Sequence, residues 1–431
     1  MSRARPFALI ALVTFLQTAG CEKTDHDSIE KWGHTQKGPG KLKKTVRDEG
    51  VDPDLAAHAA IVMITHGQDA DVRELLNEMA PSRRAEVVKA LAPRLWQVAR
   101  LEKDTDLPVG DQGVAKDWLF NLRKFADDAT RTQIDGYLLD WYAVVSYPAR
   151  QQAGMVQGVA VIRARGPVAG KRMMAVVDGY IAQPGQEKVK LRIDDNLLVA
   201  LAASGSPDAV KDLLEIMKMD RGDKTLAERA MNALFRAYID PRHEFDLADP
   251  KALEPSLDAL VALAGNDTTD TGIADDAAAL IRAIGPPKCL APLLGVIPHP
   301  HAHARFRYAA PNNALLCGGI PAIGDVVRAM PDLPYSQAEL AGSVVLTISK
   351  LAPADQVKTT LRGLLDDKRK VSRWLAMEAL AAMKSTEDAG KIAALSKDRE
   401  PLTGYWGRDG GGKPEPTLGA RATELAAQLG K

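Results

Sequence analysis

The sequence predicts an all-α chain made of one structural unit repeated along its length, an α-solenoid of helix pairs. Three observations predict it. Aromatic residues are only 5% of the chain while Ala and the aliphatics are abundant, a balance that favours closely packed helices over strands, which draw on aromatic and β-branched types. With 431 residues the chain is longer than one compact core holds. Third, the same apolar face recurs at a fixed offset from a series of turn residues.

Gly67 is followed five residues on by Val72, Leu75, Leu76 and Met79, the i, i+3, i+4, i+7 face of an amphipathic helix. Gly205 leads in the same way to Val210, Leu213, Leu214 and Met217, and Gly285 to Leu290, Leu293, Leu294 and Ile297. Gly318 leads to Ile323, Val326, Val327 and Met330, Ala352 to Val357, Thr360, Leu361 and Leu364, and Lys384 to a weaker copy in Ala389, Ile392, Ala393 and Ser396. From Gly166 the set Met173, Val176, Val177 and Tyr180 starts two residues later. The residue four before the pivots is apolar (Met63, Leu201, Ile281, Ala314, Ile348, Leu380), so a first helix precedes each turn. Pro207, Pro287, Pro321 and Pro353 fall near the start of the second helix, where a missing N–H costs least.

The pivots stand about 39 residues apart from Gly166 to Gly205, then 80 to Gly285, and then 33, 34 and 32. Residues 225–238 and a helix carrying Leu253, Leu257 and Leu260 fill the double interval, separated at Pro241. Before Gly166, helices are expected over residues 82–101 and 116–145, joined by the looser 102–113. The count is roughly eight pairs. Helix pairs of this period resemble HEAT repeats over residues 51–397, and the resemblance implies a right-handed α-α superhelix. The sequence departs from that family by lacking a regular Asp and Arg ladder. A single pair cannot bury both its apolar faces, so each stacks on the next and the stripe is core, with no cofactor needed to explain it.

The N-terminus has a different logic. Arg3 and Arg5 precede an apolar run from Pro6 to Leu16, which is a signal-peptide pattern too short for a permanent span. It ends in Thr18-Ala19-Gly20-Cys21, which resembles a bacterial lipobox, with Thr18 where that pattern carries Leu, Val or Ile. The resemblance implies a diacylglycerol on Cys21 and a chain held on the periplasmic or extracellular side of a membrane in the cell envelope. The expected organisation is a signal peptide over 1–21, a flexible polar tether over 22–50, the repeat array over 51–400, and over 401–431 a loop with Trp406 followed by a capping helix at 418–429. This order of parts is similar to that of bacterial HEAT-repeat lipoproteins.

Charge excludes one class of partner. The 56 acidic and 56 basic residues are interspersed, so no basic stripe argues for nucleic acid. Cys289 and Cys317 form at most one bridge, and their apolar helical context favours buried free thiols.

Candidate chemistry is sparse. His299, His301 and His303, with Cys317 downstream, have the spacing of a metal-binding loop, set against a solvated inter-repeat loop between Pro298 and Pro300. His243-Glu244 is the one His-Glu pair, whereas HEAT-like di-iron hydroxylases carry several. No nucleophile elbow is present, and Gly410-Gly411-Gly412-Lys413 runs into Pro414 where a phosphate loop needs Ser or Thr. The expectation is therefore a monomer that is no enzyme and has no cofactor, no metal and no catalytic residues, with lipidation at Cys21. The second helices, over residues 71–79, 208–217 and 355–364, are expected to hold a protein or peptide on a concave face. The alternatives are a metal-dependent protein using the 299–303 loop and a purely structural envelope lipoprotein.

Overall fold

The computed structural model describes residues 23–100, 109–144, 156–181, 193, 195–218, 224–240, 247–266, 269–298, 309–331, 337–402 and 417–430. Among them every regular element is helical, and two compact units divide the chain at Tyr137 and Leu138.

The first unit contains α1 (His26–Gly33), α2 (Gly38–Arg47), α3 (Pro53–Thr65), α4 (Asp69–Glu78), α5 (Pro81–Ala99), α6 (Val109–Leu122) and the start of α7 (Asp128–Val144). Helices α1, α3 and α5 pack side by side in one row, and α2 packs on α4 in the other. Trp118 of α6 continues the second row: its indole N–H donates to Asp69 and Arg73 of α4 covers its ring at 5.4 Å. The core between the rows holds Val62, Met63, Leu76, Val87, Val88 and Leu91.

Residues 22–50 correct the tether expectation, because most of them are folded. Asp25 caps α1 by accepting from the Ser28 amide at 2.9 Å, and Pro39 opens α2 where its missing donor costs nothing. Ile29, Trp32, Leu42 and Val46 are buried. Four apolar side chains at helical spacing offset the ordering entropy that the polar average composition hides. The close of α2 is held by Arg83, 7% exposed, which donates to the carbonyls of Val51 and Asp48 at 2.6 and 3.2 Å.

The second unit carries α8 (Val156–Arg165), α9 (Pro167–Ile181), α10 (Asp195–Ala203), α11 (Pro207–Lys218), α12 (Lys224–Tyr238), α13 (Leu257–Gly265), α14 (Thr271–Ile284) and α15 (Leu290–Val296). It continues through α16 (Ala309–Gly318), α17 (Ile323–Ala329), α18 (Gln337–Ser349), α19 (Ala354–Leu364), α20 (Lys370–Ala382), α21 (Ala389–Ala394) and α22 (Leu418–Leu429). First helices pack in an unbroken row, α8 on α10, then α12, α14, α16, α18, α20 and α22. Second helices form the other row, α9 on α11, α13 on α15, then α17 and α19, with the 3-10 turn Pro250–Ser256 joining α11 to α13. This is a solenoid of HEAT-like helix pairs. The helix carrying Leu253 thus begins as a 3-10 turn, where Pro255 withholds an α-helical donor.

The stripes read from the sequence are the core. Val210, Leu213, Leu214, Met217, Ile323, Val326, Val327, Met330, Val357, Leu361 and Leu364 are all buried, whereas of the weak copy only Ile392 is. Five of the seven pivots are turns in the left-handed region, Gly67, Gly166, Gly205, Gly285 and Lys384 having φ between 53° and 84°, whereas Ala352 does not take a positive φ. At the fifth turn Gly319 takes that conformation, one residue after Gly318. Gly318 serves a different need, since a Cβ there would come within 2.5 Å of Ala322. The single helix expected over 116–145 is two helices, because Asp127 caps a new one by accepting from the Thr130 amide at 2.7 Å.

Cys289 and Cys317, both buried, form a disulfide with Cα atoms 6.2 Å apart. This corrects the free-thiol expectation. The bridge runs from the start of α15 to α16, joining one helix pair to the next.

Two outcomes follow for stability. Gly205→Ala has no neighbour within 4 Å to clash with, so denaturation should show a loss of about 1–2 kcal/mol, the left-handed backbone penalty alone. Replacing both cysteines by serine removes a cross-link closing a 28-residue separation. Its loss should cost roughly 3–4 kcal/mol by the chain-entropy relation, read by chemical denaturation without reductant.

Candidate functional site

The candidate surface is the outer face of the second-helix row of the second unit. Each helix turns its apolar stripe inward, which leaves Asp208 and Lys211 of α11, Asp258 and Ala262 of α13, Gly295 of α15, Asp325 and Arg328 of α17, and Asp355 and Thr359 of α19 exposed. The face is polar and of mixed sign along its length, with small residues at its middle.

Ion pairs link successive helices of both rows toward the C-terminal end of this unit. Arg328 on α17 pairs with Asp367, beyond α19, at 2.9 Å. Arg362 on α19 grips Asp388, beyond α20, through Nε at 2.6 Å and a terminal nitrogen at 2.9 Å. Ser385 Oγ donates to the same carboxylate at 2.8 Å. Arg373 reaches Asp398 and Glu400 at 2.9 and 3.0 Å, and Arg421 on α22 holds Glu378 on α20 at 2.7 Å. Sequence reading missed this ladder because its members are 25 to 43 residues apart at no constant interval. The signal that existed was an acidic residue shortly after each of three successive helices, Asp367 after α19, Asp388 after α20 and Asp398 after α21.

Asp388 is 1% exposed. Burial alone would raise its pKa, but the Arg362 and Ser385 hydrogen bonds outweigh that and hold it below the usual carboxylate value. At the other end of the row, burial first and then the neighbouring Asp178, Glu215 and Asp208 push Asp212 up to about 6. Burial likewise raises Asp276 to about 6. In the first unit, burial pulls Lys116 below the ordinary lysine value although its Nζ lies 2.5 Å from Asp117. One turn earlier on α6, Gln112 is fully buried with no hydrogen-bond partner for its amide among the described residues.

Of the residues singled out from the sequence, Cys21, His243, Glu244, His299, His301, His303, Trp406 and the 410–413 run lie outside the described residues. Cys317 is removed from any metal set, because its sulfur is bonded to Cys289. Among the described residues no group of three or more His, Cys, Asp or Glu side chains is placed to hold a metal ion.

The row geometry decides the architecture. The fold is a HEAT-like helix-pair repeat. No family model matches the chain, and no curated protein matches it. Among solved structures, human deoxyhypusine hydroxylase in complex with glycerol matches with 15% identity and a TM-score of 0.26, covering 80% of this chain and 96% of that one. The expectation that the chain is no enzyme is corrected by this finding: the structure matched is that of a hydroxylase, so an absence of catalysis is not retained.

Replacing Arg362 by Ala should lower the melting temperature, because a buried carboxylate loses its partner. Removing both groups in Arg362→Ala with Asp388→Ala should restore part of that loss. Since the pKa of Asp388 is depressed, its contribution is full above the usual carboxylate range and disappears as pH falls through its folded value. The wild-type advantage over Arg362→Ala should therefore shrink in acid.

Proposed function

We propose that the chain is an exported lipoprotein, held to a membrane in the cell envelope of a bacterium through a lipid on Cys21, whose second-helix face binds a protein or peptide. The observation that carries the reading is the row itself. Successive second helices from α11 to α19 bury one stripe and turn the other face outward, charged on α11, α17 and α19 and small at Ala262 and Gly295, the arrangement with which repeat proteins meet extended partners. Interleaved Asp, Lys, Arg and Thr on that face suit a partner with both signs of charge.

Export is supported by two independent features. One is the basic, apolar and small-residue order of residues 1–21 ending at Cys21. The other is the Cys289–Cys317 disulfide, a bond that persists in oxidising compartments and is rare where thiols are kept reduced. No helix among the described residues is long and apolar enough to cross a membrane.

Both halves of the reading have a direct measurement. Cys21→Ala should move the protein from the membrane to the soluble fraction after cell fractionation, and continued membrane retention would refute the anchor. Asp325→Lys combined with Asp355→Lys reverses charge at two exposed steps of the row. Envelope proteins captured by the wild type should be lost from this variant while its melting temperature falls only slightly, both positions lying in helix first turns, and an identical captured set would refute the binding face.

A further inference from the structure

Four of the eight histidines meet in one seam, between α1 and α3. His26 on α1 lies 4.8 Å from His58 on α3, centroid to centroid, edge to face at 70°. His34, which caps α1, lies 5.1 Å from His66, which caps α3, at 75°. Both pairs are 32 residues apart in the sequence, and the two members on each helix are eight apart. The seam is built in register.

His58 is set up to be neutral. From α1, Glu30 Oε1 stands 2.8 Å from its Nε2, beside the His26 ring. From α5, a terminal nitrogen of Arg94 stands 3.2 Å from its Nδ1, while the same guanidinium grips Asp54 of α3 at 2.6 and 2.9 Å. His26 Nε2 is 3.4 Å from that same Asp54. A guanidinium only donates. Nδ1 of His58 must therefore accept, which leaves the hydrogen on Nε2, facing Glu30. A second proton has to enter on Nδ1, between the ring and an arginine N–H, in a side chain only 15% exposed. At the other pair, His66 Nδ1 sits 2.8 Å from the Val62 carbonyl and 3.4 Å from Thr65 Oγ1.

We propose that this seam is an acid-labile latch: protonation of His58, whose Nδ1 faces Arg94 of α5 and whose ring stands edge-on to His26 of α1, releases the α1–α2 pair from α3. Burial first, and then the charges of Arg94 and His26, hold the pKa of His58 below the ordinary histidine value despite Glu30. The sign follows from that direction. A depressed histidine contributes stability that is complete above its unfolded value and is lost as pH falls through the folded one. Acid therefore opens the latch and neutral pH closes it. Because α1 and α2 lie between Cys21 and the remaining repeats, release lengthens the connection to the anchor, a consequence that rests on the lipid reading while the latch itself does not.

Hydrogen exchange on the purified full chain tests it, at about pH 7.5 and about pH 5, either side of the ordinary histidine value, after correction for intrinsic exchange. Amides of α1 and α2 should lose about tenfold in protection in acid relative to those of α20. In His58→Gln, which keeps polar groups toward Glu30 and Arg94 without a titrating ring, that difference should shrink to a small remainder. Unchanged protection in the wild type, or the same loss in His58→Gln, would overturn the latch. If His58→Gln is unprotected at both values, His26→Asn decides: it should show a shallower pH dependence, and one as steep as wild type would overturn the proposal. Repeating the measurement on Cys21→Ala separates the two ideas, since loss of the anchor leaves the exchange result unaltered.

Discussion

A helix pair with apolar residues on facing and flanking sides cannot satisfy all of them by folding alone, and everything else in this chain follows from that insufficiency. The stripe of Val210, Leu213, Leu214 and Met217 is covered only because α10 and α11 have α12 and the Pro250–Ser256 turn beside them. Burial of each such side chain stabilises by roughly 1.5–3 kcal/mol, whereas an exposed ion pair contributes about 0–1. Apolar stacking thus supplies the cohesion. The Arg and Asp pairs between repeats choose among the alignments that stacking alone would tolerate, and the buried Asp388 is the member whose misalignment costs most.

Legibility in the sequence followed this division. Apolar side chains at helical spacing announce themselves locally, so the stripes, the turns at Gly67, Gly205 and Gly285, and the boundaries of Leu418–Leu429 could be read. Interactions between repeats could not, since nothing near Arg362 in sequence points to Asp388. The same holds for the partnering of Cys289 with Cys317, which depends on how the start of α15 meets α16.

Residues 22–50 show how an average misleads. Their composition is that of a linker, yet His26, Ile29, Trp32 and His34 sit at the same spacing as His58, Ile61, Ile64 and His66. Within this segment α1 is a polar copy of the α3 pattern, stacked in the same row as α3 and α5. Polar side chains took over outward and seam positions without disturbing the inward ones. The face that matters for candidate binding was legible as a set of helices. Its electrostatic detail, such as Asp212 raised by burial and three acidic neighbours, needed α9 beside α11.

A stack whose units contact only their neighbours opens from its ends, one pair at a time. The Cys289–Cys317 bond ties the start of α15 to α16, across the junction between two successive pairs. Fraying that starts at α22 and works backward meets a covalent stop there, and so does fraying that arrives from the other side. The bond divides the second unit into two zippers with a shared, unbreakable tooth.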